Sequence, residues 1–425
     1  MRNKVSPKIF GSTFFKRLKK KKERKTHINL LKLKAMKKVE IPCAGRLDTI
    51  KEYYFSQKNK EIAELKAAGR DIVALGIGSP DLPPPAPVIE ALYAAALKPN
   101  SHGYQPYHGS DLLRGAYAEW YKKWYGVELN PKNEILPLLG SKEGIVHVCM
   151  TFLQEGDQAL IPDPGYPTYK AAVVLAGAEP VPYPLKKENG YYPDFAELEK
   201  TDLSKVKVMI CNYPNMPTGT VPTVELFEKL VAFASKHNIL LLHDNPYSFI
   251  RNNMRLSILS VAGAKDVAME LNSLSKGHSM AGWRVGSLVG RADWISDVLR
   301  FKSNMDSGMF FPVQTAAAEA LKLGHEWFQE LNEIYYSREK EGFRLYDALG
   351  LEYRKDQAGL FIWADLPDSY KGDCFDFSDM VLDKYDVFVV PGGIFGEQGR
   401  RSIRISLCVP AELLAKAADK VIAAK

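Results

Sequence analysis

Short apolar runs alternate with amphipathic segments along most of the chain, starting near Asp71. Six of these runs are rich in Val, Ile and Leu: Ile72–Leu75, Gln158–Ile161, Lys207–Cys211, Ile239–His243, Ala268–Leu271 and Arg284–Val289. They lack strict alternation of polar and apolar residues, so they predict strands that are buried on both faces. The segment Val224–His237 instead repeats its apolar residues at helical spacing. Strands that alternate with helices predict a mostly parallel sheet.

The pattern changes beyond Phe310. A long helix is predicted over Val313–Leu349, with a break near Gly324, and a final helix begins near Pro410. Two strand-like runs lie between them: Gly359–Ala364 and Val387–Val390. We therefore predict an α/β fold with a large domain, 71–309, in which helices flank the sheet. A smaller α+β domain covers 310–425, and an N-terminal arm, 36–70, joins it.

Charge separates the N-terminus from the rest of the chain. Residues 1–35 contain 13 Lys or Arg and one acidic residue, Glu23, so the formal charge of +7 conceals a slightly acidic remainder. The basic run could bind nucleic acid or act as a transit peptide. We favour a third interpretation, in which 1–35 is disordered, or is not translated because the working protein starts at Met36. No specific nucleic-acid partner is expected.

Composition narrows the class of protein. Hydrophobic residues make up 46% and charged residues 25%, which excludes a mainly disordered chain, and no apolar run approaches the roughly 18 residues of a membrane span. The cysteines are odd in number and scattered: Cys43, Cys149, Cys211, Cys374 and Cys408. They indicate a reducing, cytoplasmic location. The eight histidines show no ligand spacing, so we expect no metal site.

The predicted strands end in clusters of Gly, Pro and polar residues. The clusters begin at Gly78, Asp163, Asn212, Asp244 and Ser273. Ligands of open α/β sheets bind outside the carboxyl ends of the strands, so the clusters predict one shared site. The first cluster does not bind a dinucleotide, because prolines follow Gly76-Ile77-Gly78 where a third glycine would open a helix.

One cluster indicates a covalent cofactor that carries a phosphate. Lys276 follows a buried strand, which lowers the pKa expected of its amine, and Ser273, Ser275 and Arg284 could hold a phosphate. A Schiff-base lysine beside a phosphate anchor is typical of pyridoxal phosphate sites. The alternative is a surface lysine in a Ser-rich turn. The small residues at Gly140-Ser141-Lys142 open a helix whose N-terminus favours an anion, although many such starts are simple caps.

A carboxylate ends another aliphatic strand. Asp244 follows Ile239–His243, and a buried carboxylate needs a partner such as a protonated ring nitrogen. Tyr247, three residues on, could donate a hydrogen bond to the phenolic oxygen of the same ring. The alternative for Asp244 is a helix N-cap.

These motifs, in this order, resemble the class I/II aminotransferases of the fold-type I family that depends on pyridoxal phosphate. The resemblance covers about residues 40–425. It rests on Tyr104-Gln105-Pro106, Gly140-Ser141-Lys142, Pro164-Gly165-Tyr166-Pro167, Asn212–Gly219, Asp244 with Pro246-Tyr247, Ser273 with Ser275-Lys276, Gly282-Trp283-Arg284, and Arg404. It implies an aminotransferase that moves the amino group between an α-amino acid and a 2-oxo acid in a ping-pong cycle.

The resemblance also implies residue roles. Lys276 would bind the cofactor and move the substrate's α-proton, Asp244 would pair with the ring nitrogen, and Tyr247 would bond the phenolic oxygen. Tyr166 would stack on the ring. The phosphate would be held by Ser141, Lys142, Ser273, Ser275 and Arg284, and by Tyr104 from the neighbouring subunit of a homodimer with composite sites. Arg404 and the Gly78 backbone would bind the substrate carboxylate.

One position departs from the family. Met216 stands where the family usually has an Asn that bonds the phenolic oxygen, and a thioether cannot donate. Either Asn215 takes over this bond or Tyr247 acts alone. We therefore expect the imine nitrogen that joins the cofactor to Lys276 to have a raised pKa, so that it stays protonated up to a higher pH.

The substrate is less well defined. Three features resemble the branch of the family that contains LL-diaminopimelate and alanine aminotransferases: the segment Lys302–Gly308, the helix start at Gly140, and Tyr53. This resemblance makes Tyr53 a candidate pocket residue. No second arginine is well placed to bind a distal carboxylate, although Arg300 lies near the expected region, so strict aspartate preference is disfavoured. A carbon–sulfur β-lyase on the same fold remains the alternative. A regulatory relative is disfavoured, because a basic extension of 35 residues is too short for a winged helix.

Overall fold

The computed structural model describes residues 12–34, 39–48 and 54–425. It divides into two units, Met1–Asp48 and Thr49–Lys425. The interpretation of 1–35 as disordered or untranslated stays a prediction. In the first unit, a helix, α1, runs over Ser12–Lys34. This segment is rich in Lys, Arg and Leu, which are good helix formers. Met36 and Tyr53 lie outside the described residues, and no described helix is long and apolar enough to cross a membrane.

The second unit contains the remaining helices. They are α2 (Tyr54–Ala67), α3 (Ala86–Ala96), α4 (Asp111–Tyr125), α5 (Ser141–Phe152), α6 (Pro167–Leu175), α7 (Phe195–Leu198), α8 (Val224–His237), α9 (Ala264–Val267), α10 (Ala292–Lys302), α11 (Phe311–Ala320), α12 (His325–Leu349), α13 (Cys374–Tyr385) and α14 (Ala411–Ala423). Helix α8 has the predicted bounds. Its N-cap is Thr223, whose hydroxyl accepts from Leu226 N at 3.0 Å, and it ends at Asn238 in a left-handed conformation.

Thirteen strands form three sheets in the described part of this unit. They are β1 (Val73–Ala74), β2 (Ile135–Leu138), β3 (Gln158–Asp163), β4 (Glu179–Pro184), β5 (Val206–Asn212), β6 (Leu240–Asn245), β7 (Ala268–Ser273), β8 (Gly286–Gly290), β9 (Glu352–Tyr353), β10 (Phe361–Asp365), β11 (Val387–Phe388), β12 (Val390–Pro391) and β13 (Ser402–Ser406). The main sheet has the order β2-β8-β7-β6-β5-β3-β4. Strands β3 to β7 are parallel, and β8 is antiparallel to both its neighbours.

The mostly parallel sheet confirms the predicted fold class, and three details differ from the sequence analysis. The run at Ile72–Leu75 forms β1, which pairs with β11 in a separate two-stranded sheet. Strand β8 starts after Arg284, which takes a left-handed conformation with φ of 57° in the preceding turn. Strands β2, β4, β9 and β13 were not predicted. Prolines alternate along β4, and an edge strand tolerates them because it needs fewer ladder donors.

Both faces of the main sheet are covered. Along β5, Val208 and Ile210 belong to one apolar cluster, with residues of α5 and α6. The intervening Met209 and Cys211 belong to a second, larger cluster that includes the apolar face of α8. This explains why the strand sequences read as continuous apolar runs.

The C-terminal elements form a second layered structure. Strands β9, β10, β12 and β13 build a four-stranded antiparallel sheet, against which α12 and α13 pack. Helices α11 and α12 are separated by 321–324, at the predicted break, and α14 begins directly after Pro410. The smaller α+β part of the predicted fold is thus present, while the boundaries at 71 and 310 stay predictions.

Candidate active site

A pocket of about 420 Å³ lies at the carboxyl ends of β5, β6 and β7, which is the edge where the sequence analysis placed the site. It gathers most of the predicted residues: Gly78, Ser141, Lys142, Tyr166, Asp244, Tyr247, Ser273, Ser275, Lys276, Arg284 and Arg404. Because parallel strands end at one edge of a sheet, side chains far apart in sequence meet there.

Lys276 lies in the turn that follows β7. Its Nζ donates to the Gly78 carbonyl oxygen at 2.5 Å, which holds the amine inside the pocket. Burial lowers the pKa of this amine, and the positive charges of Arg404 and Arg284 add to the effect. A lysine with a lowered pKa has the neutral amine needed for a nucleophile or a base.

Asp244 projects into the pocket near the end of β6 and is almost fully buried. Its Oδ2 accepts a hydrogen bond from the Tyr169 hydroxyl at 2.7 Å, whereas Oδ1 has no hydrogen-bond partner among the described residues. Burial raises the pKa of this carboxyl to about 6. An open carboxylate oxygen in a pocket fits a protonated nitrogen of a ligand ring, so the residue fits the cofactor that the resemblance implies.

A cation, hydroxyls and a helix N-terminus converge at another part of the pocket. Ser141 is the first residue of α5, and Arg284 donates to Leu139 O at 3.2 Å just before this helix. Gly140 has a φ of 90°, and a Cβ there would overlap the Arg284 guanidinium. Ser273 Oγ accepts from Ser275 N at 3.2 Å. This arrangement suits an anion such as a phosphate.

Arg404, another pocket residue, lies on β13 and is buried. Its Nη2 donates to Gly76 O at 3.0 Å, and its Cζ lies 3.9 Å from the centre of the Phe361 ring. The Phe395 ring lies 4.6 Å away, and Met216 Sδ is 3.5 Å from Nη1. A planar guanidinium in this setting can bind a carboxylate through two hydrogen bonds.

Two tyrosines complete the predicted set inside the pocket. Tyr166 is half-buried at the N-cap of α6, and its ring meets the Tyr169 ring edge-on at 5.7 Å. Tyr247 is buried, which raises the pKa of its phenol well above the ordinary value and keeps the hydroxyl protonated as a donor.

Two predicted site residues do not line this pocket, and a third cannot be placed. Tyr104 is 95% exposed, so its side chain extends from the surface of the chain. Asn215 is buried in the turn after β5, where its Oδ1 accepts from the Thr218 hydroxyl at 2.7 Å, and it does not line the pocket. Tyr53 lies outside the described residues.

Several residues that line the pocket were not predicted from the sequence. The most informative is Tyr169, which lies three residues after Tyr166 on one face of α6, a helical spacing that could have revealed it. Asn212 lines the pocket, and its Nδ2 donates to the Asp244 carbonyl oxygen at 2.7 Å. The other missed residues are mainly apolar and carry no sequence signal of a site: Phe55, Asn59, Ile77, Ser79, Ile145, Pro246, Ala281, Phe361 and Phe395.

A buried polar network supports the strand that carries Asp244. The preceding residue, His243, has Nδ1 2.8 Å from Glu270 Oε2 and Nε2 2.9 Å from Tyr213 O. Glu270 also accepts from the Tyr121 hydroxyl at 2.8 Å and from the Ser257 hydroxyl at 2.9 Å. Both imidazole nitrogens face oxygen acceptors, so a protonated ring satisfies all of these groups. Its positive charge opposes the rise in the Asp244 pKa.

Comparison with known proteins agrees with this geometry. The family model for class I and II aminotransferases matches residues 70–421. An LL-diaminopimelate aminotransferase of Dehalococcoides mccartyi is 42% identical over 378 residues, which are 88% of this chain and 97% of the relative. One from Aquifex aeolicus is 38% identical, over 89% of this chain and 98% of the relative.

Solved structures are also similar to this chain over most of its length. A substrate-bound structure of BacF from Bacillus subtilis is 37% identical, with a TM-score of 0.85, and the match covers 91% of this chain and 98% of that one. An aspartate aminotransferase mutant of Thermus thermophilus is 25% identical, with a TM-score of 0.84, over 91% of this chain and 100% of that one. With the family model and these relatives matching nearly the whole second unit, the chain belongs to the class I and II aminotransferases, which use pyridoxal phosphate.

Proposed function

We propose that the pocket around Lys276 performs amino transfer between an α-amino acid and a 2-oxo acid, with the residue roles given below. The observation that carries the proposal is the position of three groups in one pocket: the Lys276 amine, the open Asp244 oxygen and the buried Arg404 guanidinium. Pyridoxal phosphate, when bound, supplies a ring that withdraws electrons from the substrate's α-carbon.

The side chains divide the remaining work. Lys276 takes the proton from the substrate's α-carbon and later returns one, a task that its lowered pKa favours. Asp244 holds the ring nitrogen in its charged form, and Tyr169 orients this carboxylate. Arg404 binds the substrate α-carboxylate and so fixes the α-carbon beside Lys276.

The other roles concern the cofactor's substituents. Tyr247 donates to the phenolic oxygen, and Tyr166 covers the ring. The phosphate is bound by the N-terminus of α5 and by a set of side chains that meet there: Ser141, Lys142, Ser273, Ser275 and Arg284. Asn215 has no such role in this proposal, because its side-chain oxygen is engaged by Thr218.

A homodimer completes the site. Tyr104 reaches the phosphate in the partner's pocket, which accounts for an aromatic side chain left 95% exposed. Its surroundings support an interface, because the segment at Gly308 packs on the Gln105 and Pro106 backbone and exposes Met305 and Phe310 beside it. Exposed apolar side chains from adjoining segments are typical of subunit contacts. The free cysteines support the cytoplasmic location.

Two kinds of amino donor are candidates. The names of the relatives make LL-diaminopimelate one, and the branch resemblance makes alanine-like apolar amino acids the other. The comparisons give no support to the carbon–sulfur β-lyase alternative.

The test is the visible absorbance of the cofactor-loaded protein while single amino acids are added. A donor should convert the absorbance to that of the amino form of the cofactor, and a 2-oxo acid should restore it. The Lys276→Ala variant should do neither, while Lys205→Ala, a change at an exposed lysine away from the pocket, should behave as wild type. Absorbance that no amino acid alters would overturn the proposal.

A further inference from the structure

Two neighbouring segments of the chain carry the groups that are proposed to bind the substrate carboxylate. One is β13, which contains Arg404, and the other is the segment 75–81 that follows β1. Ser406, at the end of β13, donates from its backbone N to Leu75 O at 2.8 Å and from its hydroxyl to Ile77 O at 2.6 Å. These bonds hold the first part of the segment 75–81 against the strand.

Arg338 of α12 holds the far end of both segments. Its Nη1 and Nη2 donate to the two carboxylate oxygens of Asp81 at 2.7 and 2.8 Å, and Nη1 also donates to Leu407 O at 2.9 Å. Asp81 lies three residues after Gly78, and Leu407 lies three residues after Arg404. One guanidinium therefore fixes the chain just beyond each of the two groups.

The geometry and burial of this ion pair make it a rigid connection. The Arg338 side chain is 5% exposed, and that of Asp81 is 28% exposed. A buried guanidinium needs an opposite charge, and two parallel hydrogen bonds to one carboxylate fix orientation as well as distance. Neither residue lines the pocket. The pair therefore acts on the site through the segments that it holds.

We propose that Arg338 and Asp81 are positioning residues for the carboxylate site, and that they hold the Gly78 backbone at the distance from Arg404 that a carboxylate spans. The inference rests on the proposed function, in which these two groups bind the substrate α-carboxylate. Every substrate presents the same carboxylate, so loss of the pair should weaken all of them alike, whatever their side chains. Cofactor binding should not change, because α5, β6 and the turn after β7 provide its contacts.

Binding of simple carboxylates tests this role without any turnover. The double variant Arg338→Met, Asp81→Leu removes both charges together, so that neither is left without its partner and the chain should still fold. By calorimetry on the cofactor-loaded proteins, propanoate and 3-phenylpropanoate should each bind at least about tenfold more weakly than to wild type, while the dissociation constant for pyridoxal phosphate stays within about twofold. Arg344→Met, which breaks a half-exposed ion pair with Asp419 on the same helix, should change none of these values.

Amide hydrogen exchange separates positioning from a general loss of stability. In the double variant, the amides of 76–79 should exchange at least about tenfold faster, while the midpoint of urea unfolding stays close to that of wild type. Arg338→Lys, a milder change, keeps the charge but cannot form two parallel bonds, so it should weaken both carboxylates by about threefold or more.

Three outcomes would count against the proposal. Unchanged carboxylate binding in either folded variant, or weaker binding of only one of the two carboxylates, would overturn the inference and leave the proposed function intact. Wild-type protein that binds neither carboxylate would overturn the proposed role of Arg404, and the inference with it.

Discussion

Asp244 is the residue whose ionisation most directly links the site to pH. Its carboxyl has a pKa raised to about 6 in the cofactor-free protein, from an ordinary 3.8, because burial disfavours the charge. Between these values the unfolded chain has lost the proton and the folded chain has kept it. Stability therefore falls as the pH rises through this window, by on the order of 3 kcal/mol in total.

The Asp244→Asn variant lacks this penalty and keeps an acceptor for Tyr169. In urea unfolding of the cofactor-free proteins, its stability relative to wild type should rise by a few kcal/mol, about 3 at most, between pH 4 and pH 8. The same variant should bind pyridoxal phosphate more weakly at pH 8, because the ring nitrogen loses its partner. A stability difference that is constant with pH would contradict the buried, ionised carboxylate.

Met216 allows a second residue-level prediction. Met216→Asn restores a donor near the phenolic oxygen, so the pH at which the visible absorbance of the bound cofactor changes should move down by about one unit. Met254→Asn, at an exposed methionine outside the pocket, is the control. Identical absorbance titrations for wild type and Met216→Asn would show that this position does not set the protonation of the bound cofactor.

The sequence identified most of the charged and hydroxyl groups of the pocket, because their chemistry is unusual at the ends of buried strands. It could not identify Phe361 or Phe395, because the sequence pattern around an apolar pocket residue is the same as that around a residue of the hydrophobic core. Asn215 illustrates another limit. Its place in the motif suggested a cofactor contact, but the turn after β5 directs its side chain to Thr218.

At the level of elements, β6 and β7 are joined by the buried pair His243 and Glu270, which face each other across the parallel ladder. Removing one partner leaves a buried charge without compensation. Glu270→Gln should therefore destabilise the protein by about 3 kcal/mol or more in urea unfolding. Glu188→Gln, at an exposed position, should cost less than about 0.5 kcal/mol. Equal effects would argue against the ion pair.

A helix or strand could be predicted where its apolar residues repeat with one clear period. Helix α8 repeats its apolar residues regularly and has both caps, so its bounds follow from the sequence. Strand β4 has alternating prolines, which argue against a strand until its position at the edge of the sheet is known. The pairing of β1 with β11 joins residues more than 300 apart in the chain, and no local pattern encodes that contact.

For the whole molecule, the central expectation is a dimer with shared sites. Sedimentation should give twice the chain mass at micromolar concentration. Tyr104→Phe should weaken pyridoxal phosphate binding by about tenfold while the dimer persists, because one hydrogen bond to a charged group is lost. Tyr107→Phe, at an exposed tyrosine in the same segment, should have no such effect. A monomer at these concentrations would contradict the composite site.

The basic N-terminal extension belongs to a different unit from the pocket. A chain that starts at Met36 should therefore retain cofactor binding and the rates of both half-reactions within twofold of the full chain. Loss of the bound cofactor or of either half-reaction in the shortened chain would show that residues 1–35 contribute to the site.

Transfer of a labelled amino group tests directly whether this pocket catalyses transamination. The cofactor-loaded protein would be given ¹⁵N-phenylalanine and an unlabelled 2-oxo acid, and the products would be analysed by mass spectrometry. We expect ¹⁵N in the amino acid formed from the 2-oxo acid, with one labelled molecule for each phenylpyruvate released, and no labelled product with Lys276→Ala. Release of the label as ammonia, or failure of every ¹⁵N-labelled amino acid tested in the same way to pass its nitrogen to the 2-oxo acid, would contradict the assignment of this pocket to amino transfer.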